Sequence, residues 1–358
     1  LPREVGRLGG GASDRRPLLP APLRRGTYGV GFALLLAVPA LVGTRLPVYI
    51  NGVTFVVIFL SLSLLVRSSG QISLSHAAFA ALGATTFSHL SVGQALSWPL
   101  ALVGAGLVTV PLGAVLAIPA IRLSGLYLAL ATFGFGILAQ NLLFLTKFAF
   151  GAGSVVRIPR PTVFGVDLAG DESFYYFVLV LVVLGVIAVE AVRVTRLGRV
   201  LRALADSPTA TESLGINPTA ARVIVFCVGA FLAAIAGGIL GTLTQVVNTS
   251  TFDFFQSLVW VTVLVTAGAA SLGGSVLASL LLVTAPTIFT SATFIELQPV
   301  FFGVAAMLLA QARNGLVGLV PRPDFAGLAK ESAWRGDSRR LEERSLPETA
   351  VASTGARA

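Results

Sequence analysis

Few residues in this chain have the means to do chemistry, and they are thinly spread. His76 stands among Gln71, Ser73 and Ser75 in an otherwise apolar stretch. An imidazole beside an amide and two hydroxyls can hydrogen-bond a kinked backbone where a chain enters a membrane. It can equally line a polar pathway, since ionisable groups within membrane segments mark functional sites by default. Thr132 precedes Gly134-Phe135-Gly136, where small residues would let helices approach closely or form a pathway wall. Nothing resembles paired carboxylates, a nucleophile beside its base, a His-Glu-x-x-His pair or a Cys/His cluster, so no metal is expected. No G-x-x-x-x-G-K-[ST] loop is present to cradle phosphates. Mid-span Asp and Glu, which an ion-coupled carrier would want, are missing too. These observations argue against a membrane enzyme and against a stand-alone secondary transporter.

Elements that could position such residues must be membrane helices. Of 358 residues, 55% are hydrophobic and 11% charged, against roughly 25% charged in a soluble domain. The mean hydropathy of +0.87 would leave a soluble fold with more apolar surface than it could bury. The net charge of +9 would suggest nucleic acid in a soluble protein. Here the arginines fall in tails and connecting loops, so no nucleic-acid partner is expected. Cys227 is the sole cysteine, which excludes an internal disulfide.

Apolar runs fall at 27–43, 48–66, 76–92, 98–120, 124–145, 174–192, 223–247, 255–270, 274–290 and 298–320. The expected fold is an all-α polytopic membrane protein with about ten transmembrane helices and both termini cytoplasmic. Eight spans plus re-entrant segments is the alternative, with 76–92 short enough to be re-entrant if protein backs it. With the N-terminus inside, 21 Arg and Lys fall on inner segments and 4 on outer ones, the bias of the positive-inside rule. Residues 1–26 form a basic cytoplasmic tail without the apolar core of a signal peptide, so 27–43 is expected to be a retained helix. Residues 27–320 form the transmembrane domain, with an outer loop at 146–173. Residues 321–358 mix Pro, Gly, Ser, Arg and Glu and are expected to be a disordered cytoplasmic tail.

The longest inner connection is 193–222. Ser207-Pro208 places a capping hydroxyl before a proline at the first helical position. Gly215 stands where a helix stops, and Asn217-Pro218 is expected to prevent its resumption. A helix of about seven residues fits between. Just upstream, Glu190 is expected to pair with Arg193, and Arg202 with Asp206. A short helix across the inner face suits docking into a cytosolic partner, or it is a capped connector with none.

Four stretches carry a resemblance. The run from Gly198 through Leu201, Asp206-Ser207-Pro208 and Gly215 to Pro218 resembles the cytoplasmic loop of the branched-chain amino acid ABC permeases of the LivM type. Gly70-Gln-Ile-Ser-Leu-Ser-His-Ala-Ala-Phe79 is similar to that family's GQ-x-SLGHAAF segment. Tyr127 to Gly136 resembles its Y-x-A-x-x-T-x-GFG, and Ile158 to Gly165 its outer-loop IP-x-P-x-x-FG. The motifs occur in order between about residues 48 and 320.

The resemblance implies the permease subunit of an ABC importer in the bacterial inner membrane. Its implied partners are a second permease in a heterodimer, two cytosolic ATPases that bind the ATP, a periplasmic or extracellular solute-binding protein, and membrane lipid. It implies no cofactor on this chain and an ATPase-coupling helix at Ser207, Pro208, Ala210, Glu212 and Gly215. Gln71, Ser73, His76, Thr132, Gly134 and Gly136 become candidate pathway residues. The general E-A-A-x3-G loop pattern is matched only at Ala210 and Gly215, and Ser75 replaces a glycine. Ile137 stands where the family commonly has Glu after GFG. Branched-chain amino acids are the first expectation for the solute; urea, short amides and aromatic carboxylates are the alternatives.

Overall fold

The computed structural model describes residues 33–69, 73–120, 123, 126–146, 149–150, 155–160, 162–163, 166–215, 217–269, 271–288, 297, 300–305 and 307. Both expected tails, Gln71 and most of the 298–320 run lie outside them. The elements are almost all helical: α1 (Leu46–Ser69), α2 (His76–Ser88), α3 (Trp98–Ala120), α4 (Leu126–Leu138), α5 (Asp171–Val194), α6 (Arg196–Asp206), α7 (Pro208–Ser213), α8 (Pro218–Thr244), α9 (Phe254–Ala267) and α10 (Leu272–Ile288). Short strands β1 (Val155–Arg157), β2 (Thr162–Val163), β3 (Val166–Asp167) and β4 (Val246–Asn248) complete them. Among the described residues, four helical stretches are long and apolar enough to cross a membrane: Ala33–Val66, which is interrupted at Gly43–Arg45, Trp98–Pro119, Asp171–Val194 and Thr219–Thr244.

The expected break between the first two runs falls at the 3-10 turn Gly43–Arg45. Leu35 lines the same hollow of about 180 Å³ as Arg45, Val48 and Tyr49. A straight helix would hold Leu35 and Tyr49 roughly 21 Å apart, so the chain bends back at Gly43, where φ is +56°.

α2 is the centre of the molecule, and every residue from His76 to Ser88 is buried. It packs against α8, α3, α9 and α4. Protein thus backs the segment on several sides, as a short membrane element requires. A Cβ on Gly83 would stand 2.1 Å from the Ala234 carbonyl oxygen, so α2 and α8 meet at backbone contact. That is the small-residue packing by which helices associate in lipid, where no hydrophobic force drives them together. α8 also packs on α1 and α3, and α1 on α5 and α10. Ser275 Oγ donates to the Phe59 carbonyl at 3.3 Å, and Ser279 Oγ to that of Gly52, joining α10 to α1.

Hydroxyls inside the bundle are hidden in the helices that carry them. Thr54, Thr85, Thr109 and Thr242 each donate to the carbonyl four residues earlier, which satisfies the group without a partner helix. The outward faces are apolar: Leu100, Val103 and Leu107 on α3 are exposed, as are Val180, Leu184 and Ile187 on α5.

The two ends of the bundle differ. At one, β1 pairs antiparallel with β4, Val156 opposite Val247. Nearby, the Arg160 guanidinium lies 2.6 Å from Asp171, donates to the Ala169 carbonyl and sits 5.1 Å over the Phe174 ring. At the other end lie α6 and α7.

Candidate functional site

The polar residues singled out around His76 converge where α2 begins. The chain enters α2 through an irregular stretch, Ser73 to Ser75, whose backbone N–H groups have no helical partner. Side chains from other helices supply acceptors. Thr132 Oγ1 on α4 accepts from Leu74 N at 2.9 Å while donating to the Ala129 carbonyl at 3.0 Å. Ser257 Oγ on α9 accepts from Ala77 N at 2.8 Å. The Ser73 and Ser75 hydroxyls are 2.9 Å apart. In a water-free interior an unmade bond of this kind is costly, so these hydroxyls fix the entry angle of α2.

His76 is 1% exposed. Among the described residues neither ring nitrogen has a hydrogen-bond partner in good geometry, although the Ser73 backbone lies near. Its ring meets Phe79 edge-on at 6.2 Å, and Phe79 meets Phe135 and Phe226 at 5.9 and 5.8 Å. A buried imidazole without partners is costly for structure alone, and it has both donor and acceptor capacity to spare.

The two glycines of α4 separate. A Cβ on Gly136 would lie 3.6 Å from the Leu74 carbonyl oxygen and 3.3 Å from Phe254 Cβ, whereas Gly134 is exposed with nothing within 4 Å. Ser73, His76, Thr132 and Gly136 therefore share one site and Gly134 does not. Ser257 was missed by sequence reasoning. So was Gln140, whose Oε1 accepts from Phe254 N at 3.0 Å. A serine and a glutamine inside apolar runs were the available signal. Ile137 is 38% exposed beside this site.

The second candidate region is the α6–α7 end. α5 stops at Val194 and α6 begins at Arg196, so Thr195 is the whole corner: its N–H donates to the Ala191 carbonyl, and its carbonyl accepts from Arg199 N. Glu190 and Arg193 form the expected ion pair. α6 lays Leu197, Val200, Leu201 and Leu204 against the core, packing beneath α5, α1 and α8.

α7 follows after Ser207, an extended and exposed residue, and runs six residues from Pro208 to Ser213. Thr211 faces inward, its hydroxyl 2.8 Å from the Ser207 carbonyl, while Glu212 and Leu214 face solvent, Leu214 78% exposed. Gly215 closes the turn at φ +76°, its N–H donating to the Glu212 carbonyl. Of Pro208 and Ala210 only the backbone is described. Asn217-Pro218 does not act as a stop alone. Asn217 Oδ1 accepts from Thr219 N and Ala220 N, and Pro218 opens α8, because asparagine before a first-turn proline is a helix start.

No solved structure matches this chain. The high-affinity branched-chain amino acid transport system permease protein LivM of Salmonella typhimurium is 31% identical over 253 residues, 64% of this chain and 60% of that protein. LivM of Escherichia coli is 30% identical over the same shares. The chain thus spans about 60% of the length of these curated relatives. The model of the family described as "Branched-chain amino acid transport system / permease component" matches residues 46–310, and with the ordered motifs and apolar helices in the same span, the chain belongs to that family.

Proposed function

We propose that this chain is the membrane-spanning permease subunit of an ATP-driven ABC importer in a bacterial inner membrane. It forms the solute pathway with a second permease, receives solute from a binding protein on the outer side, and is driven by two cytosolic ATPases that bind the ATP. The α6–α7 end faces the cytoplasm and the β1–β4 end faces out, the orientation that the distribution of basic residues favours. The observation that carries the reading is the build of the α6–α7 end. The apolar face of α6 is spent on three helices, while Glu212, Ser213, Leu214 and Gly215 are left projecting. A short helix held rigidly from above with an exposed tip is suited to pass movement from an ATPase to the spans. Co-purification of the ATPases with tip variants at equal permease levels tests it, and full retention by every tip variant would place the contact elsewhere.

The solute is proposed to be a branched-chain amino acid, as the names of the relatives suggest. A second reading rests on Ile137: an apolar residue stands beside Gly136 where the resembling family commonly has Glu, so that carboxylate is not there to meet an ammonium group. Urea, a short amide or an aromatic carboxylate would then fit. Binding of leucine and of urea to the cognate solute-binding protein decides between them.

A further inference from the structure

On the solvent side of α6, Arg196, Arg199 and Arg202 recur at every third position and all three are exposed, while Leu197, Gly198, Val200, Leu201 and Leu204 turn inward. The Asp206 side chain, expected to pair with Arg202, lies outside the described ones, and among the described side chains none of the three arginines is ion-paired. Arg199 Nη1 donates to the Val194 carbonyl at 3.2 Å, which ties its guanidinium to the last turn of a span. With Thr195 as the only residue between α5 and α6, the stripe begins immediately where the span ends. That is the depth of lipid headgroups rather than of the cytosol beyond them.

The surface leading to the stripe is continuous and apolar. Val180, Leu184, Ile187, Ala191 and Val194 lie along one exposed face of α5, a track for an acyl chain that ends at the arginines. Guanidinium groups match phosphate oxygens geometrically and electrostatically. We infer that Arg196, Arg199 and Arg202 form a headgroup site for an anionic phospholipid of the inner leaflet, its acyl chain lying along α5. The inference rests on the membrane orientation proposed above. A lipid held there braces α6 from its free side, and α6 leads through Ser207 into α7, so the coupling tip depends on the lipid around it.

The competing occupant is an ATPase surface, and the experiment separates the two. The complete importer is purified and placed in nanodiscs of phosphatidylcholine, alone or with phosphatidylglycerol, and retained lipid is counted by native mass spectrometry. Each basic residue near an anionic surface strengthens binding by about fivefold. R196Q/R199Q/R202Q should therefore retain at least about tenfold less phosphatidylglycerol, whereas R196K/R199K/R202K should keep most of it. In sealed vesicles of the same two lipid compositions, uptake by wild type should rise with phosphatidylglycerol and that of the Gln triple should not, with the ATPases retained equally in phosphatidylcholine discs. If the Gln triple does not assemble, R196Q/R202Q leaves the Arg199–Val194 bond in place and should still lose several-fold retention. Equal phosphatidylglycerol retention by wild type and the Gln variants would overturn the site. ATPase loss in phosphatidylcholine discs with lipid retention unchanged would make the stripe a protein contact instead. Because retention in a disc does not depend on which side faces out, a failure of the orientation would show in accessibility labelling and not here.

Discussion

Gly237 on α8 and Ala80 on α2 meet backbone to backbone: a Cβ added at Gly237 would stand 1.9 Å from the Ala80 carbonyl oxygen. With Gly83 against Ala234 about one turn away, this crossing seats α2, and with it the whole polar site, against α8. Gly237→Ala must push the helices apart, at a cost at or above the roughly 1–3 kcal/mol of ordinary overpacking. Its thermal midpoint in detergent should fall clearly. Gly134→Ala, with nothing within 4 Å, should leave that midpoint in place. Equal effects at the two positions would show that the α2–α8 contact is not what holds the site.

The hydroxyls that anchor the start of α2 should act through the backbone they satisfy. Ser257→Ala removes the acceptor for Ala77 N, and Thr132→Val removes that for Leu74 N. Leaving a buried donor unmade costs about 1–3 kcal/mol. Each variant should unfold at lower temperature, and Thr132→Ser, which keeps the oxygen, should be close to wild type. A Thr132→Val protein as stable as wild type would mean that Leu74 N finds another partner.

Orientation is open to direct measurement. In a Cys227→Ser background, Glu172→Cys at the start of α5 should react with an impermeant thiol reagent added to intact cells. Thr195→Cys and Ser207→Cys should react only after the membrane is opened. All three positions are exposed, so a silent site reflects the barrier and not burial. Labelling of position 207 from outside would invert the proposed topology and detach α7 from any cytosolic partner.

The helices, the outward apolar faces and the short α7 were legible because each depends on residues near one another in the chain. Hydropathy marks a span, and Pro208 and Gly215 bracket a short helix, whatever the rest does. The site was legible only in part. His76 and Thr132 stood out as polar residues in apolar runs, but the partners of Leu74 and Ala77 lie 58 and 180 residues away, and no local pattern encodes such pairings. Gly134 and Gly136 read as a pair in sequence. On a helix two residues are about 200° apart, and only Gly136 faces Leu74. Asn217-Pro218 misled because the same two residues that end one helix also start the next.

The α7 tip, proposed to meet the ATPases, offers the sharpest test, because its residues are exposed and replaceable. Leu214 is 78% exposed, an apolar side chain that a partner could cover. Leu214→Arg keeps the turn and puts a charge where an apolar contact is proposed, and burying an uncompensated charge in an interface is strongly unfavourable. Gly215 contributes differently: at φ +76° it occupies a conformation that costs other L-residues about 1–2 kcal/mol. β-Branched residues tolerate it worst and asparagine best. Gly215→Val should therefore distort the tip, and Gly215→Asn should preserve it. Neither residue packs within the bundle, so both proteins should insert and associate with the second permease normally. Uptake in reconstituted vesicles should fall by an order of magnitude or more for Leu214→Arg and Gly215→Val, with the ATPases lost on purification, while Gly215→Asn stays near wild type. Full uptake by Leu214→Arg with the ATPases retained would free this surface of any coupling role.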